Sequence, residues 1–215
     1  SNATLHNEDE ISRKDIRIGD TVLIQRAGDV IPEVVKVILN KRDLNCKIFN
    51  IPSQCPICKH NVIRIKGEVA LRCINNLCKA KIKGQIEHFV SKNCMNIDGL
   101  GIKIIELLLD NNLIKNFSDI YFLKKEDLSH LERMGEKSAG NIINAINKSK
   151  NTTLAKFINA LGIRNVGQNA GQILEDYFQG DLQKLIAAKK EDFLLIHEIG
   201  DIMAESITQY FDDEY

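Results

Sequence analysis

Ile97-Asp98-Gly99-Leu100-Gly101 is the first of four related stretches in this chain of 215 residues. The others are Leu131-Glu132-Arg133-Met134-Gly135, Ile163-Arg164-Asn165-Val166-Gly167 and Ile196-His197-Glu198-Ile199-Gly200. Their last glycines are spaced by 34, 32 and 33 residues. Each copy reads apolar-x-x-apolar-Gly and runs into apolar residues at helical spacing, as Ile102, Ile105, Leu108 and Leu109 do after the first. Repetition at a fixed period marks a repeat architecture. Ankyrin and tetratricopeptide solenoids have a similar period, but their signatures are absent, and here the glycine precedes the helix it marks. A single copy would read most simply as a helical packing unit. Four copies in register call for another explanation.

A helix that ends in a tight glycine turn and restarts at once leaves backbone N–H groups unpaired at its new N-terminus. With the positive end of the helix dipole, those donors form a phosphate site that needs few basic side chains. Glycine reaches positive φ and lets a phosphodiester backbone come close. This pattern resembles the helix-hairpin-helix motif, which holds duplex DNA by its phosphates without reading sequence. The first copy alone has both glycines; Arg133, Asn165 and Glu198 take the earlier position in the others. Asn tolerates left-handed backbone, Arg and Glu do so poorly, and Glu198 carries the wrong sign for a phosphate neighbour. The hairpin at Gly99–Gly101 is therefore expected to matter most. A bulky residue at Gly101 should strain the turn and block the phosphate together, and the same change at Gly200 should cost less.

Upstream of the repeats, cysteines organise the chain. Cys55-Pro56-Ile57-Cys58 is followed by Cys73-Ile74-Asn75-Asn76-Leu77-Cys78. Two short cysteine pairs on knuckle turns bring four thiolates into a tetrahedron that suits zinc. The segment Val62–Leu71 between them reads as a hairpin turning at Gly67-Glu68. Disulfides fit poorly with a reducing compartment, and free core thiols fit poorly with this spacing. Four cysteines leave no position for water, so the expected role of Cys55, Cys58, Cys73 and Cys78 is structural. His60 is a possible substitute ligand that reads better as a surface residue. Cys46 and Cys94 lack partner spacing and read as ordinary thiols.

The first section reads as β. Thr21–Ile24 and Val34–Ile38 are β-branched runs separated by Gly28-Asp29, with Pro32 near the start of the second. Two or three strands bury little, so this section should be a piece of a small barrel. After the cysteines the chain is helical: Ile82, Ile86, Phe89 and Val90 share one face, and Thr152-Thr153 and Asp181 read as N-caps. The charge is formally zero, with 29 basic and 29 acidic residues, which argues weakly against a nucleic-acid partner. The average hides an asymmetry: Lys59, Arg64, Lys66, Arg72, Lys79, Lys81, Lys83 and Lys92 face only Glu68 and Glu87 between Cys55 and Lys92. Such a segment can meet phosphate or be a plain solvated surface. No apolar run approaches a membrane span and no signal segment opens the chain, so the cytosol is the expected compartment.

A β segment, a four-cysteine ribbon and four hairpins, in that order, resemble the C-terminal half of bacterial NAD-dependent DNA ligases. Ala3-Thr4-Leu5-His6-Asn7, Arg17-Ile18-Gly19-Asp20 and Arg26-Ala27-Gly28-Asp29-Val30-Ile31-Pro32 look like that family's OB-fold segment. Leu131 to Ala139 and Ala160 to Gly167 look like its helical domain. The resemblance covers essentially the whole chain. It implies a multidomain α+β protein: a partial OB-fold over residues 1–52, a four-cysteine zinc finger over 53–81 and a helix-hairpin-helix domain over 82–215. One departure is Lys79-Ala80-Lys81, where the family commonly has Pro-Ala-Gln; it adds charge without touching a ligand position.

The resemblance also implies a division of labour. In the family, a lysine of an N-terminal nucleotidyltransferase domain takes AMP from NAD and passes it to a 5′-phosphate at a nick; the 3′-hydroxyl then displaces AMP. No Lys-x-Asp-Gly lysine motif occurs here. This chain is thus expected to hold no catalytic residue and to be inactive alone, with NAD and Mg2+ belonging to the full-length enzyme and one structural zinc to this part. The implied partners are nicked duplex DNA, the N-terminal domain and a C-terminal BRCT domain, in a monomeric cytoplasmic protein at the nucleoid that acts in replication and repair. Arg26, Val30 and Ile31 would lie against the minor groove beside the nick. Gly99, Gly101, Gly135, Lys137, Ser138, Gly167 and Gly200 would line the hairpin sites. Two other classes share parts of the pattern: a non-catalytic repair or recombination module built on helix-hairpin-helix units, and a zinc-ribbon adaptor that binds protein only. The Arg26–Pro32 segment speaks against the first, and salt-dependent duplex binding would exclude the second.

Overall fold

The computed structural model describes residues 2–27, 31–65, 69–132 and 134–212. The chain divides into two compact units, residues 1–79 and 80–215. Residues 28–30, residues 66–68, where the sequence expects a turn at Gly67-Glu68, and Arg133 lie outside the described residues.

In the first unit, α1 (Glu8–Arg13) opens at Asn7, whose side chain accepts the Glu10 amide. Three acids in the first turn and Arg13 in the last complement the helix dipole. Strands β2 (Val22–Ala27) and β3 (Ile31–Val37) form an antiparallel hairpin, Val22 opposite Val37 and Ala27 opposite Ile31, with an irregularity at Leu23/Ile24. Thr4 bridges alongside Glu33, and the short strands β1 (Arg17–Ile18) and β4 (Lys47–Ile48) pair separately. The expected barrel piece is thus two two-stranded sheets around a small core of Ile11, Val34 and Val37. Ile18, Ile24, Ile31, Leu39 and Ile48 stay more than half exposed, as expected where two-stranded sheets provide no second layer to cover them.

Polar contacts stiffen this unit where apolar area is short. The Asp20 carboxylate, 1% exposed, accepts from Arg42 at 2.7 and 2.8 Å. Arg42 also donates to Asp15 at 2.6 Å. The Arg42 guanidinium holds the Asp20 carboxyl down at about 2. The ribbon hairpin, β5 (Val62–Arg64) with β6 (Leu71–Cys73), is tied back to α1 by Arg64, which donates to Asp9 at 3.0 Å.

Helix α2 (Lys79–Val90) starts immediately after Cys78, three residues ahead of Ile82, where the apolar pattern first becomes visible. Beyond it the second unit consists of α3 (Ile102–Asp110), α4 (Lys125–Ser129), α5 (Glu136–Ser149), α6 (Leu154–Leu161), α7 (Gln168–Phe178), α8 (Leu182–Ala187), α9 (Lys190–Leu194) and α10 (Asp201–Asp212). Each long helix buries one stripe: Ala139, Ile142 and Ile146 on α5, and Ala170, Leu174 and Phe178 on α7. These stripes build two apolar clusters. One gathers residues from Ile86 to Ile146 with Ala160; the other runs from Leu154 to Ile207. The first two hairpins anchor in the former and the last two in the latter.

Candidate nucleic-acid interface and metal centre

The four repeats share one turn-closing hydrogen bond. In each, the amide of the fourth residue returns to the carbonyl of the first: Leu100 to Ile97, Met134 to Leu131, Val166 to Ile163 and Ile199 to Ile196, at 3.0–3.4 Å. Both apolar residues of every copy are buried, none more than 9% exposed. They pin the turn to the core, and the turn then dictates the rest. Its third residue has positive φ wherever it is described: 93° at Gly99, 61° at Asn165 and 71° at Glu198. Arg133 takes that place in the second copy and lies outside the described residues. The poor tolerance of Glu for this conformation is overridden at Glu198, because the flanking Ile196 and Ile199 are both committed to the core.

The two glycines of the first copy have different jobs. A Cβ at Gly99 would sit 2.7 Å from Ile142 Cγ1, so this glycine is demanded from inside. Gly101 has φ −73° and ψ 168°, an extended conformation open to any residue, and a Cβ there would meet nothing within 4 Å. The expectation that a larger residue at Gly101 strains the turn is corrected accordingly. Gly135, Gly167 and Gly200 are equally open. At four equivalent positions, then, the fold itself makes no demand for glycine.

Helix capping sets the same positions apart from several other helix starts. Three helices that do not follow a hairpin have side-chain caps, Asn7 for α1, Thr153 for α6 and Asp181 for α8, whereas α4 and α9 start from Lys124 and Lys189 without one. The sequence expectation for Thr153 and Asp181 holds. Gly101, Gly135 and Gly167 are the N-caps of α3, α5 and α7 and supply no side-chain hydrogen bond. Lys137 and Ser138, in the first turn of α5, are exposed, as are Ile102 and Lys103 on α3 and Gln168 and Asn169 on α7.

The hairpins also carry a longer period that the five-residue pattern conceals. Lys124-Lys125-Glu126-Asp127 before the second copy recurs as Lys189-Lys190-Glu191-Asp192 before the fourth. Asp127 and Asp192 each accept the backbone amide of the first lysine, at 2.8 and 2.9 Å. The second lysine reaches the helix beyond the turn: Lys125 to Glu136 at 2.5 Å, and Lys190 to Asp201 at 3.0 Å and Glu205 at 2.7 Å. The second and fourth hairpins therefore have a carboxylate at the first residue of the outgoing helix. The third copy, from Ile163 to Ala170, has none.

Of the residues expected at a minor groove, Arg26 and Ile31 are exposed at the end of the β2–β3 hairpin. Arg26 faces Pro32 across the ladder and Ile31 faces Ala27, so the register directs Arg26 and Ile31 to opposite faces. Val30 lies outside the described residues.

The four cysteines of the ribbon come together. Their sulfurs lie within 4.8 Å of one another, with Cys55 and Cys78 at 3.9 Å and Cys58 and Cys73 at 3.4 Å. Zn–S bonds of ~2.3 Å in a tetrahedron place sulfurs ~3.8 Å apart, so the set fits one zinc. The knuckles favour thiolates. The His60 amide donates to Cys58 and lowers its thiol to about 6, and the Cys58 and Ile57 amides hold the Cys55 thiol below its ordinary value. Burial pushes Cys73 the other way, to about 11, a site where a cation would stabilise the anion. His60 turns its Nδ1 toward the Cys58 carbonyl, 3.0 Å away, and is not part of the cluster. Cys46 is half-buried and Cys94 buried. No helix among the described residues is long and apolar enough to cross a membrane.

Comparison with known proteins matches these parts in order. Residues 1–45 match the NAD-dependent DNA ligase OB-fold domain and 54–80 the NAD-dependent DNA ligase C4 zinc finger domain. Residues 93–148 match a SAM-like helix-hairpin-helix tandem and 156–215 a helix-hairpin-helix motif. The chain is 50% identical over 212 residues to a DNA ligase of Lysinibacillus sphaericus, covering 99% of this chain and 32% of that protein. It is 52% identical over 216 residues to a DNA ligase of Halothermothrix orenii, covering 100% and 32%. A DNA ligase of Bdellovibrio bacteriovorus is 52% identical over 211 residues, covering 98% and 31%. The chain thus spans about a third of the length of the curated relatives it matches. With two ligase-specific modules in sequence, hairpins that share one turn-closing hydrogen bond after them and half of all residues shared with these relatives, the chain belongs to the NAD-dependent DNA ligase family.

Proposed function

We propose that this chain grips nicked duplex DNA without sequence preference for a parent ligase whose chemistry is performed elsewhere in the protein. One observation carries the reading. Gly101, Gly135, Gly167 and Gly200 are open on the side where a Cβ would stand, and α3, α5 and α7, which start from such glycines, lack the side-chain caps that α1, α6 and α8 have. Uncapped amides at a helix start, with room for close approach, suit a phosphate. Lys137 and Ser138 would add a charge and a hydroxyl at the second hairpin, and Arg26, Val30 and Ile31 would touch the minor groove. Cys55, Cys58, Cys73 and Cys78 would hold one structural zinc. In this reading residues 1–52, 53–81 and 82–215 are the OB segment, the zinc finger and the hairpin domain.

Adenylation by NAD, with Mg2+, would fall to a nucleotidyltransferase domain of the parent, beside a BRCT domain, in a monomeric cytoplasmic enzyme that seals nicks in replication and repair. The relatives named DNA ligase and the matched modules support this assignment. Titration of labelled nicked and intact duplexes of unrelated sequence tests it. Binding that is indifferent to sequence and weakens with salt is expected; no binding at low salt would overturn the reading.

A further inference from the structure

Two pairs of hairpins, each on its own apolar cluster, are joined through residues 150–153 and helix α6. Helix α6 belongs to both clusters: Leu154 and Ile158 lie in the second, while Phe157 and Ala160 pack on the first. Between them sits Asn159, which with Ser149 makes up the buried polar residues among the described ones. Its side-chain amide donates to the Asn93 carbonyl at 3.0 Å and to Cys94 Sγ at 3.2 Å. Its backbone carbonyl lies 2.7 Å from His88 Nε2. A carbonyl only accepts, so the ring proton sits on Nε2 and is donated to Asn159. Cys94 Sγ, 1% exposed, lies 3.6 Å from the same nitrogen. His88, Asn93 and Cys94 all belong to α2 and the loop after it, on the first hairpin pair's side.

Apolar contact is non-directional and allows one cluster to slide on the other. Hydrogen bonds fix distance and angle, and a buried polar group with the wrong partner is costly, so a satisfied polar cluster selects one arrangement. Nothing in the phosphate sites themselves calls for His88, Cys94 or Asn159. We infer that the His88–Asn159–Cys94 seam is a positioning device that locks the first pair of hairpins to the second at one angle, so that both pairs meet one duplex together. The last clause rests on the DNA-gripping function proposed above; the locking does not.

The test uses the full chain with spin labels carried on genetically encoded residues at the exposed positions Asn144 on α5 and Gln183 on α8. His88→Leu removes the donor, and His88→Gln keeps an N–H near the same place. A single narrow label-to-label distance is expected for the unsubstituted chain and for His88→Gln, and a broadened one for His88→Leu. Duplex affinity should fall about tenfold in His88→Leu alone, because two sites held in register act at high effective concentration and loosely held ones do not. Asn159→Ser, a milder cut of the same seam, replaces His88→Leu if the latter fails to fold. An unchanged distance distribution without the donor overturns the locking. So does a His88→Gln chain that behaves like His88→Leu. Broadening with unchanged affinity overturns the link to duplex binding. If the unsubstituted chain binds no duplex, the proposed function fails, while the distance distributions still decide whether the seam locks.

Discussion

The first hairpin separates two demands that a glycine-rich turn usually merges. Gly99 answers to the interior, with φ of 93° and Ile142 2.7 Å from where a Cβ would stand. Gly101 is under no such demand, since neither its backbone nor its surroundings exclude a side chain, and in the proposed function it answers to the phosphate. Gly99→Ala is therefore expected to destabilise the helical unit by about 1–3 kcal/mol, read as a lowered melting temperature. Gly101→Ala should leave stability within about 0.5 kcal/mol and instead weaken duplex binding about tenfold, the equivalent of one hydrogen bond to a charged group. Equal melting temperatures for the two variants would remove the distinction. Glu198 shows the reverse trade. It holds a left-handed φ of 71° that glycine adopts freely, and it places a carboxylate at the turn. Glu198→Gly should stabilise the chain by up to about 1 kcal/mol and strengthen duplex binding; a lower melting temperature would show that contacts of the Glu198 side chain outweigh the strain.

Among the elements, the ribbon depends most on something other than its own packing. Its strands are three residues each, and a two-stranded hairpin of that size is marginal in water. Metal binding contributes about 10–16 kcal/mol in zinc-finger peptides, far more than such a hairpin buries. Purified protein should carry one zinc per chain, and chelation should abolish the chemical-shift dispersion of residues 55–78. Well under one equivalent of metal together with an unaltered spectrum after chelation would refute this. The neighbouring β unit relies on Asp20 and Arg42. Asp20 has a folded value of about 2 against 3.8 for the ordinary carboxyl, so the unfolded chain takes up the proton more readily. Its contribution to stability is full above about pH 4 and fades as pH falls toward 2. In Arg42→Ala the Asp20 titration midpoint, followed by carboxyl NMR shifts, should rise toward the ordinary range; an unmoved midpoint would mean that Arg42 does not hold it. The elements were unequally legible in the sequence. Cysteine spacing and the apolar-x-x-apolar-Gly pattern are local, so ribbon and hairpins could be read directly, and Thr153 and Asp181 announced their helices. The cap signal Asn7 before Glu8-Asp9-Glu10 was equally local, but six residues carry too little apolar periodicity to mark α1. The division of labour between Gly99 and Gly101 was hidden, because it depends on Ile142, some forty residues away. So was the opposed facing of Arg26 and Ile31, which follows from strand register.

At the scale of the whole molecule, the proposed function asks how a chain of 29 basic and 29 acidic residues would hold a polyanion. Incubation with NAD should add no AMP to the intact mass, since the Lys-x-Asp-Gly lysine motif is absent from this sequence; a gain of one AMP would place a nucleophile here. The grip itself is expected to come from backbone dipoles more than from cations. Each neutralised phosphate on a duplex contributes about −0.9 to the slope of log K against log salt. Four hairpins that each met a phosphate would give a slope near −4 if all acted alike. They are not alike. Asp201 and Glu198 flank the fourth start, Glu132 and Glu136 the second and Asp98 the first turn, whereas the third has Arg164, Asn165, Gln168 and Asn169 and no acid of its own, only Glu198 of the fourth reaching Asn169 at 3.4 Å. Lys125 and Lys190 offset the acids at the helix starts only in part, since Lys190 is shared between Asp201 and Glu205. The expected slope is therefore about −2 to −3, with the first and third hairpins contributing most of it. Gly167→Val should then flatten the slope by close to one unit, and Gly200→Val should barely change it. A flattening of equal size at both positions, with folding intact, would mean that carboxylates beside the turn do not govern which hairpins take a phosphate. Binding would then be set by backbone geometry alone, in which the third and fourth turns agree.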